Sequence, residues 1–196
     1  MKRILMIGTG GTIASGKTAE GLMPELTSEQ LLSFVPAVSA LCRAECLQLL
    51  SLDSTNLAPT HWLLIAKAIR ERYESIIREL GLSLSLEEEF HSIRENFTRK
   101  IGRDYAASRG EYLNGRIMAE YLGYEFIDAA EVICFDKTGN FDGKKTQKIL
   151  SERLANTERA VIPGFYGAMP DGKIKTFSRG GSDITGSIVA GAVHAD

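Results

Sequence analysis

Residues Ala68 to Gly81 read AIRERYESIIRELG, and the fold turns on whether this stretch is the interior of one domain or the seam between two. Taken locally it is a helix. Upstream, Trp62, Ile65, Ala66, Ile69, Tyr73, Ile76, Ile77 and Leu80 keep helical spacing from Pro59 onward, and Gly81 supplies the left-handed residue that ends such a run. Glu74 stands four residues before Arg78, the spacing of a surface ion pair. The apolar stripe passes through the whole stretch without a break. The residues on its two sides nevertheless propose different chemistry.

Working outward toward the N-terminus, Ile4 to Ile7 form a short apolar run that enters a glycine turn, which fits a buried parallel strand. TSEQLLSF starts a helix at Thr27 with Gln30 placed for a capping box, and CLQLLSL is a second strand ending in the polar loop DSTN. Toward the C-terminus, SLEEEFHSIRENF and DYAASRGEYLNGRIMAEYLG read as helices, YEFID and EVICF as strands, and KTQKILSERLA as a helix. RAVIPGF is a buried strand, and GGSDITGSIVAGAVHA is a glycine-opened helix of small residues. DGKK and PDGK read as turn tips, Glu87 to Glu89 as a solvated helix start, and Trp62 as core. Strands alternating with helices predict an α/β fold with a mostly parallel sheet flanked by helices on both faces. That sheet is expected to be incomplete, because the chain stops at Asp196 directly after a packed helix.

The composition narrows the classes. The 196 residues are 44% hydrophobic and 24% charged with a formal charge of -2, which predicts a soluble cytoplasmic chain with no nucleic-acid partner. No apolar run approaches the roughly 18 residues of a membrane span, and the N-terminal MKRILMIG meets TGGT too early for a signal core, so no membrane partner is expected. Cys42, Cys46 and Cys134 lack metal-ligand spacing and read as reduced, mostly buried thiols. His61, His91 and His194 share no ligand spacing either. No metal centre is expected from them.

ILMIGTGGTIA sets Thr9 and Thr12 around Gly10 and Gly11 at the end of the first strand, the end that faces a ligand crevice in a parallel sheet. Adjacent glycines let backbone N–H groups approach an oxyanion, and a threonine hydroxyl there is a nucleophile if a base takes its proton. The same residues fit a plain strand turn equally well. KRILMIGTGGTIASGKTAEGLMPELTSEQLLSFVP followed by LQLLSLDSTNLAPTHWLLIAKAI resembles the start of a bacterial-type L-asparaginase. The resemblance implies that Thr12 is the nucleophile on a side-chain amide, through a covalent β-aspartyl enzyme, and that Asp53, Ser54 and Thr55 hold the α-groups of L-asparagine. No cofactor is implied. The family's tyrosine near Leu22 is absent, and so are the later HGTDT stretch and lysine of its second proton-transfer group.

SRGEYLNG carries Arg109 and Glu111, and FSRGGSDITG carries Arg179, Ser182 and Asp183 around Gly180 and Gly181. An arginine fork suits a carboxylate, a glutamate suits an ammonium, and a glycine-rich helix start suits a phosphate. On spacing alone, an ordinary Arg/Glu surface pair and a helix N-terminus fit as well. DYAASRGEYLNGRIMAEYLGYEFIDAAEVI, VIPGFYGA and TFSRGGSDITGSIVA are similar to aspartokinase, of the amino-acid kinase family. That resemblance implies that Glu111 binds the amino group of L-aspartate, Arg179 its carboxylate, with Ser182 beside them, and that Asp183 organises phosphoryl transfer. Gly164, Gly167, Gly180 and Gly181 would lie along the nucleotide phosphates. The implied reaction moves the γ-phosphoryl of Mg-bound ATP to the β-carboxylate. Aspartokinases open on a K-F-G-G-[ST] turn whose lysine neutralises the transferring phosphate, and here Gly8 stands in its place.

The expectation is therefore a composite chain, with an asparaginase-like segment over residues 1–73 and an aspartokinase-like segment over residues 74–196. The second segment is expected to lack the kinase's first strand and nucleotide half, and losing the lysine alone costs about a thousandfold or more in rate. The family label is aspartokinase with impaired catalysis. The alternatives are a Thr12 amidohydrolase or an inactive chimeric chain. Unpaired sheet edges predict a homo-oligomer or other association.

Overall fold

The computed structural model describes residues 2–11, 14–18, 21–24, 26–52, 56, 58–99 and 101–195. It divides into two compact units, Met1–Ile76 and Ile77–Asp196. Thr12, Asp53, Ser54 and Thr55 lie outside the described residues.

The first unit opens with strand β1 (Lys2–Gly10), followed by a hairpin of β2 (Ser15–Thr18) and β3 (Gly21–Pro24). Helix α1 (Ser28–Ser33) begins as its sequence predicts: Thr27 accepts from the Gln30 N–H while the Gln30 side chain accepts from the Thr27 N–H, a complete capping box. A single turn, α2 (Val38–Leu41), leads into strand β4 (Cys42–Leu52). β4 pairs with β1 in parallel from Lys2 opposite Cys42 to Gly8 opposite Gln48, and a bulge then sets Gly10 opposite Leu52. The Gly11 N–H donates to Leu52 O at 2.8 Å, so the glycine turn is tied to the neighbouring strand.

Helix α3 (Pro59–Glu79) crosses the boundary between the units. Its apolar stripe is only partly covered. Ala68 and Ile77 are buried, but Trp62 is 57% exposed, which corrects the expectation of a core tryptophan. Helical periodicity says which residues share a face and not whether anything covers that face. The nearly buried side chains of the first unit's described residues are all small, namely Ala14, Ser28, Cys42 and Ala68.

The second unit has a denser core. Helices α4 (Glu87–Thr98) and α5 (Arg103–Leu122) come first, and α5 ends on Gly123 in the left-handed conformation. Glu89 is not a solvated helix-start residue as its neighbours suggested. It pairs with Arg116 of α5 at 3.0 Å, with its side chain 11% exposed. Strand β5 (Glu125–Phe126) precedes a short helix α6 (Ala129–Val132). Part of the expected EVICF strand is thus helical, because the Asp128 carboxylate accepts from the Ala130 N–H and starts a turn. Only Cys134 and Phe135 bridge in extended form.

Helix α7 (Gly143–Leu154) starts from Asp142, whose carboxylate accepts from the Lys145 N–H, so DGKK is a capped helix start and not a loop tip. Strand β6 (Ala160–Val161) pairs in parallel with β5. β7 (Tyr166–Ala168) and β8 (Ile174–Thr176) form a hairpin whose tip is PDGK, and helix α8 (Gly181–Ala192) closes the unit. Ile127, Val132, Ile133, Leu150 and Tyr166 form the centre of the core. The class is α/β, but in place of one mostly parallel sheet the described residues form four separate two-stranded sheets, β1–β4 and β5–β6 parallel and β2–β3 and β7–β8 antiparallel.

Candidate functional site

Three segments of the second unit that carry expected site residues meet around one cleft of about 530 Å³, whose wall also takes in Leu154, Thr157, Glu158, Ala160 and Ile162. The first is α5, which approaches closely because Gly115 leaves room: a Cβ there would fall 2.9 Å from Pro163 Cγ and 3.0 Å from the Phe126 ring. Glu111 projects from this helix, half-buried, into the cleft. Arg109 does not accompany it, since residues two apart on a helix face different ways. The Arg109 guanidinium lies instead 4.6 Å from the ring centres of Tyr105 and Tyr112 and 5.5 Å from that of Tyr166, and donates to Ser108 Oγ.

The second segment is the turn Gly164 to Gly167. Gly164 lines the cleft and has no room for a side chain, because a Cβ would lie 2.9 Å from Ser182 Oγ. Phe165 holds a left-handed backbone at φ 61°, which is uncommon for a bulky residue. Tyr166 is fully buried, and its hydroxyl donates to Asp128 Oδ1 at 2.7 Å. Burial above all, and then the Asp128 charge, push the Tyr166 phenol far above its ordinary pKa. Gly167 packs against the backbone, with a virtual Cβ 2.3 Å from Ile133 O.

The third segment is the start of α8. Gly180 takes the left-handed cap position at φ 60°, and Gly181 is buried beneath Phe165 and Phe177. Ser182 lines the cleft, as do Thr185 and Gly186. Arg179, Gly180 and Asp183 are exposed and do not line it. Of the expected substrate and phosphate residues of this unit, Glu111, Gly164 and Ser182 therefore share one cavity, while Gly167 and Gly181 are enclosed by protein atoms next to it. Two features were not read from the sequence: the buried Thr185, whose only signal is its position three residues after Ser182, and Glu158, a second carboxylate on the rim.

The charge of this cleft is one-sided. Its lining holds Glu111 and Glu158 and no lysine, arginine or histidine. Such a lining favours an ammonium group and disfavours an unneutralised phosphate. Among the described residues no group of three or more His, Cys, Asp or Glu is placed to hold a metal ion, and no helix is long and apolar enough to cross a membrane. All three cysteines are free, with Cys42 and Cys134 buried.

Comparison with known proteins gives two sets of sequence matches. Residues 3–78 match the family described as Asparaginase, N-terminal. Aspartokinases cover the rest. Aspartokinase 3 of Bacillus subtilis is 34% identical over 155 residues, covering 67% of this chain and 32% of that protein. The aspartate kinase of Clostridium acetobutylicum is similar in structure with a TM-score of 0.64 and 51% identity, over 67% of this chain and 30% of that one. Aspartokinase III of E. coli, solved with aspartate and ADP, matches 98% of this chain and 47% of its own at a TM-score of 0.59 and 20% identity, a likeness of fold alone. The chain spans about a third of the length of the aspartokinases it matches in sequence, 32% in the Bacillus protein.

Proposed function

We propose that this chain, asparaginase-like over its first 78 residues and aspartokinase-like over the remainder, binds L-aspartate through the Glu111 cleft and is impaired in transferring phosphate to it. The observation that carries the reading is the convergence of Glu111, Gly164 and Ser182, from three segments, on one cavity whose charged lining residues are both carboxylates. In this reading the Glu111 carboxylate takes the substrate ammonium, and the α-carboxylate is assigned to the Arg179 fork, which is exposed and lies outside the cleft lining. The first turn of α8, where a helix leaves its leading N–H groups without intrahelical partners, is assigned with the Ser182 hydroxyl to the transferring phosphate, and Asp183 to ordering the phosphate region. The family reaction joins a β-carboxylate oxygen to the γ-phosphorus of ATP while the bond to ADP breaks. Mg-bound ATP is its second substrate.

Impairment follows from charge. Phosphoryl transfer proceeds by positioning and neutralisation, and the cleft lining supplies two carboxylates and no cation. Gly8 stands where aspartokinases carry the phosphate-neutralising lysine. The junction of the two segments is placed near Tyr73, giving segments of residues 1–73 and 74–196. This is supported by the division of the compact units after Ile76 and by the asparaginase match ending at residue 78. Two assays test the reading together. Calorimetric titration is expected to show L-aspartate binding that Glu111→Ala abolishes, and ATP-dependent formation of aspartyl hydroxamate is expected not to exceed that of the Glu111→Ala control. Absence of binding overturns the site, and sustained hydroxamate formation overturns the impairment.

The match over residues 3–78 favours a second reading, amide hydrolysis of L-asparagine with Thr12 as nucleophile and no cofactor. Ammonia release that is the same in the parent chain and in Thr12→Ala rules it out.

A further inference from the structure

Thr185 is the buried polar residue of the cleft wall, 3% exposed. Its hydroxyl donates to Gly181 O at 2.8 Å, the ordinary back-bond of a helical threonine to the residue four before it. It also accepts from the Phe165 N–H at 3.1 Å, twenty residues away in sequence, and that second bond is not ordinary. Phe165 is the residue held at φ 61°, and its carbonyl accepts from the Phe177 N–H at 2.9 Å. Both polar groups of a strained residue are thus fixed by α8 or by the segment leading into it. The neighbouring Gly164 has no clearance from Ser182, so a shift of the turn displaces Ser182 or opens the wall between them.

We infer that Thr185 is a positioning residue: its hydroxyl clamps the Gly164–Gly167 turn onto the first turn of α8 and so fixes the spacing of Gly164 and Ser182 around the Glu111 cleft. The clamp acts through geometry and touches no reacting atom. The consequence for ligand binding rests on the reading of the cleft as an amino-acid site, whereas the clamp itself does not.

The test compares the full chain with Thr185→Val, which keeps the shape and loses the hydroxyl, and Thr185→Ser, which keeps the hydroxyl. Amide hydrogen exchange is expected to rise about tenfold at Phe165 in the valine variant and to return close to the parent rate in the serine variant, as loss of one buried hydrogen bond implies. Affinity for L-aspartate by calorimetry is expected to follow the same order, with the valine variant about tenfold weaker and serine restoring it. Unchanged Phe165 exchange in Thr185→Val overturns the clamp. Increased exchange with parent-like aspartate affinity overturns its positioning role. If the parent chain binds no aspartate while Phe165 exchange still rises in the valine variant, the clamp stands and the amino-acid reading fails. A variant too unstable to fold shows exchange rising throughout α8 and β7, and Thr185→Ser then decides, since parent-like exchange at Phe165 in that variant upholds the hydroxyl's role and elevated exchange overturns it.

Discussion

At Gly8 a single hydrogen atom as a side chain is what the packing allows: a Cβ would fall 2.1 Å from Ser28 Oγ and 2.4 Å from Gln48 Oε1. The surrounding polar atoms are already engaged, because the Ser28 N–H and hydroxyl both donate to Gln48 Oε1 at 2.8 Å. A lysine introduced by Gly8→Lys is therefore expected to lower stability, by about 1–3 kcal/mol as overpacked sites do, without raising hydroxamate formation. Thermal melting and the hydroxamate assay check the two halves. Asp104 gives a prediction of pH dependence. Burial raises its carboxyl pKa, but the Thr176 N–H and hydroxyl and the Lys175 ammonium at 3.3 Å outweigh that and hold it below the ordinary value. A depressed carboxyl contributes stability above its unfolded pKa, near 3.9, and loses that contribution as pH falls through the lower folded value. The melting temperature of Asp104→Asn is expected to lie below that of the parent at pH 6 and to converge on it as pH drops below 4. A constant gap across that range would contradict the assignment. Glu111 could be singled out as a candidate because its neighbours form a recognisable signature, and it does line the cleft, whereas Thr185 and the Tyr166–Asp128 bond depend on partners 20 and 38 residues away. No local pattern announces such pairs.

Elements with their own start and stop signals were the legible ones. Thr27 with Gln30, Gly81 and Gly123 each mark a helix end where the structure has one. The four-residue α6 was not, because β-branched residues in EVICF favour a strand while a single Asp128 cap turns the chain first. The pairing of α4 with α5 was also hidden. Three consecutive glutamates suggest solvent, yet Glu89 is drawn down to Arg116, whose guanidinium also lies 5.3 Å from the Phe126 ring. Arg116 Nε is buried and has no hydrogen-bond partner among the described residues. Removing Glu89 leaves that guanidinium still less satisfied, so Glu89→Ala is expected to cost the second unit about 1–3 kcal/mol. Urea unfolding followed by circular dichroism checks it, and a midpoint equal to the parent's would show that the pair contributes nothing. Glu88→Ala on the same turn separates the loss of this pair from the loss of a negative charge at the helix start.

At the scale of the whole molecule the two units differ in how well they can hold themselves together. The second has a core of large side chains around Ile127, Ile133, Leu150 and Tyr166. Among its described residues the first has a two-stranded parallel sheet, small buried side chains, and exposed Ile4, Phe34, Trp62 and Leu63. Parallel sheets are ordinarily covered on both faces and longer than two strands. Association through open strand edges is the expected outcome. Light scattering after size exclusion is expected to give a mass that rises with protein concentration, and a monomer mass at all concentrations would contradict it. The helix that spans residues 59–79 shows why the division was hard to read from periodicity. Its apolar spacing runs through the boundary unbroken, and only the motifs on either side of it resemble two different families. In the proposed function the aspartokinase-like part retains recognition of L-aspartate. Calorimetric titration of L-aspartate into the parent chain and into Glu111→Ala tests it most directly. Saturable binding in the parent that is lost in the variant is predicted, and no binding in the parent, or equal binding in both, would contradict it.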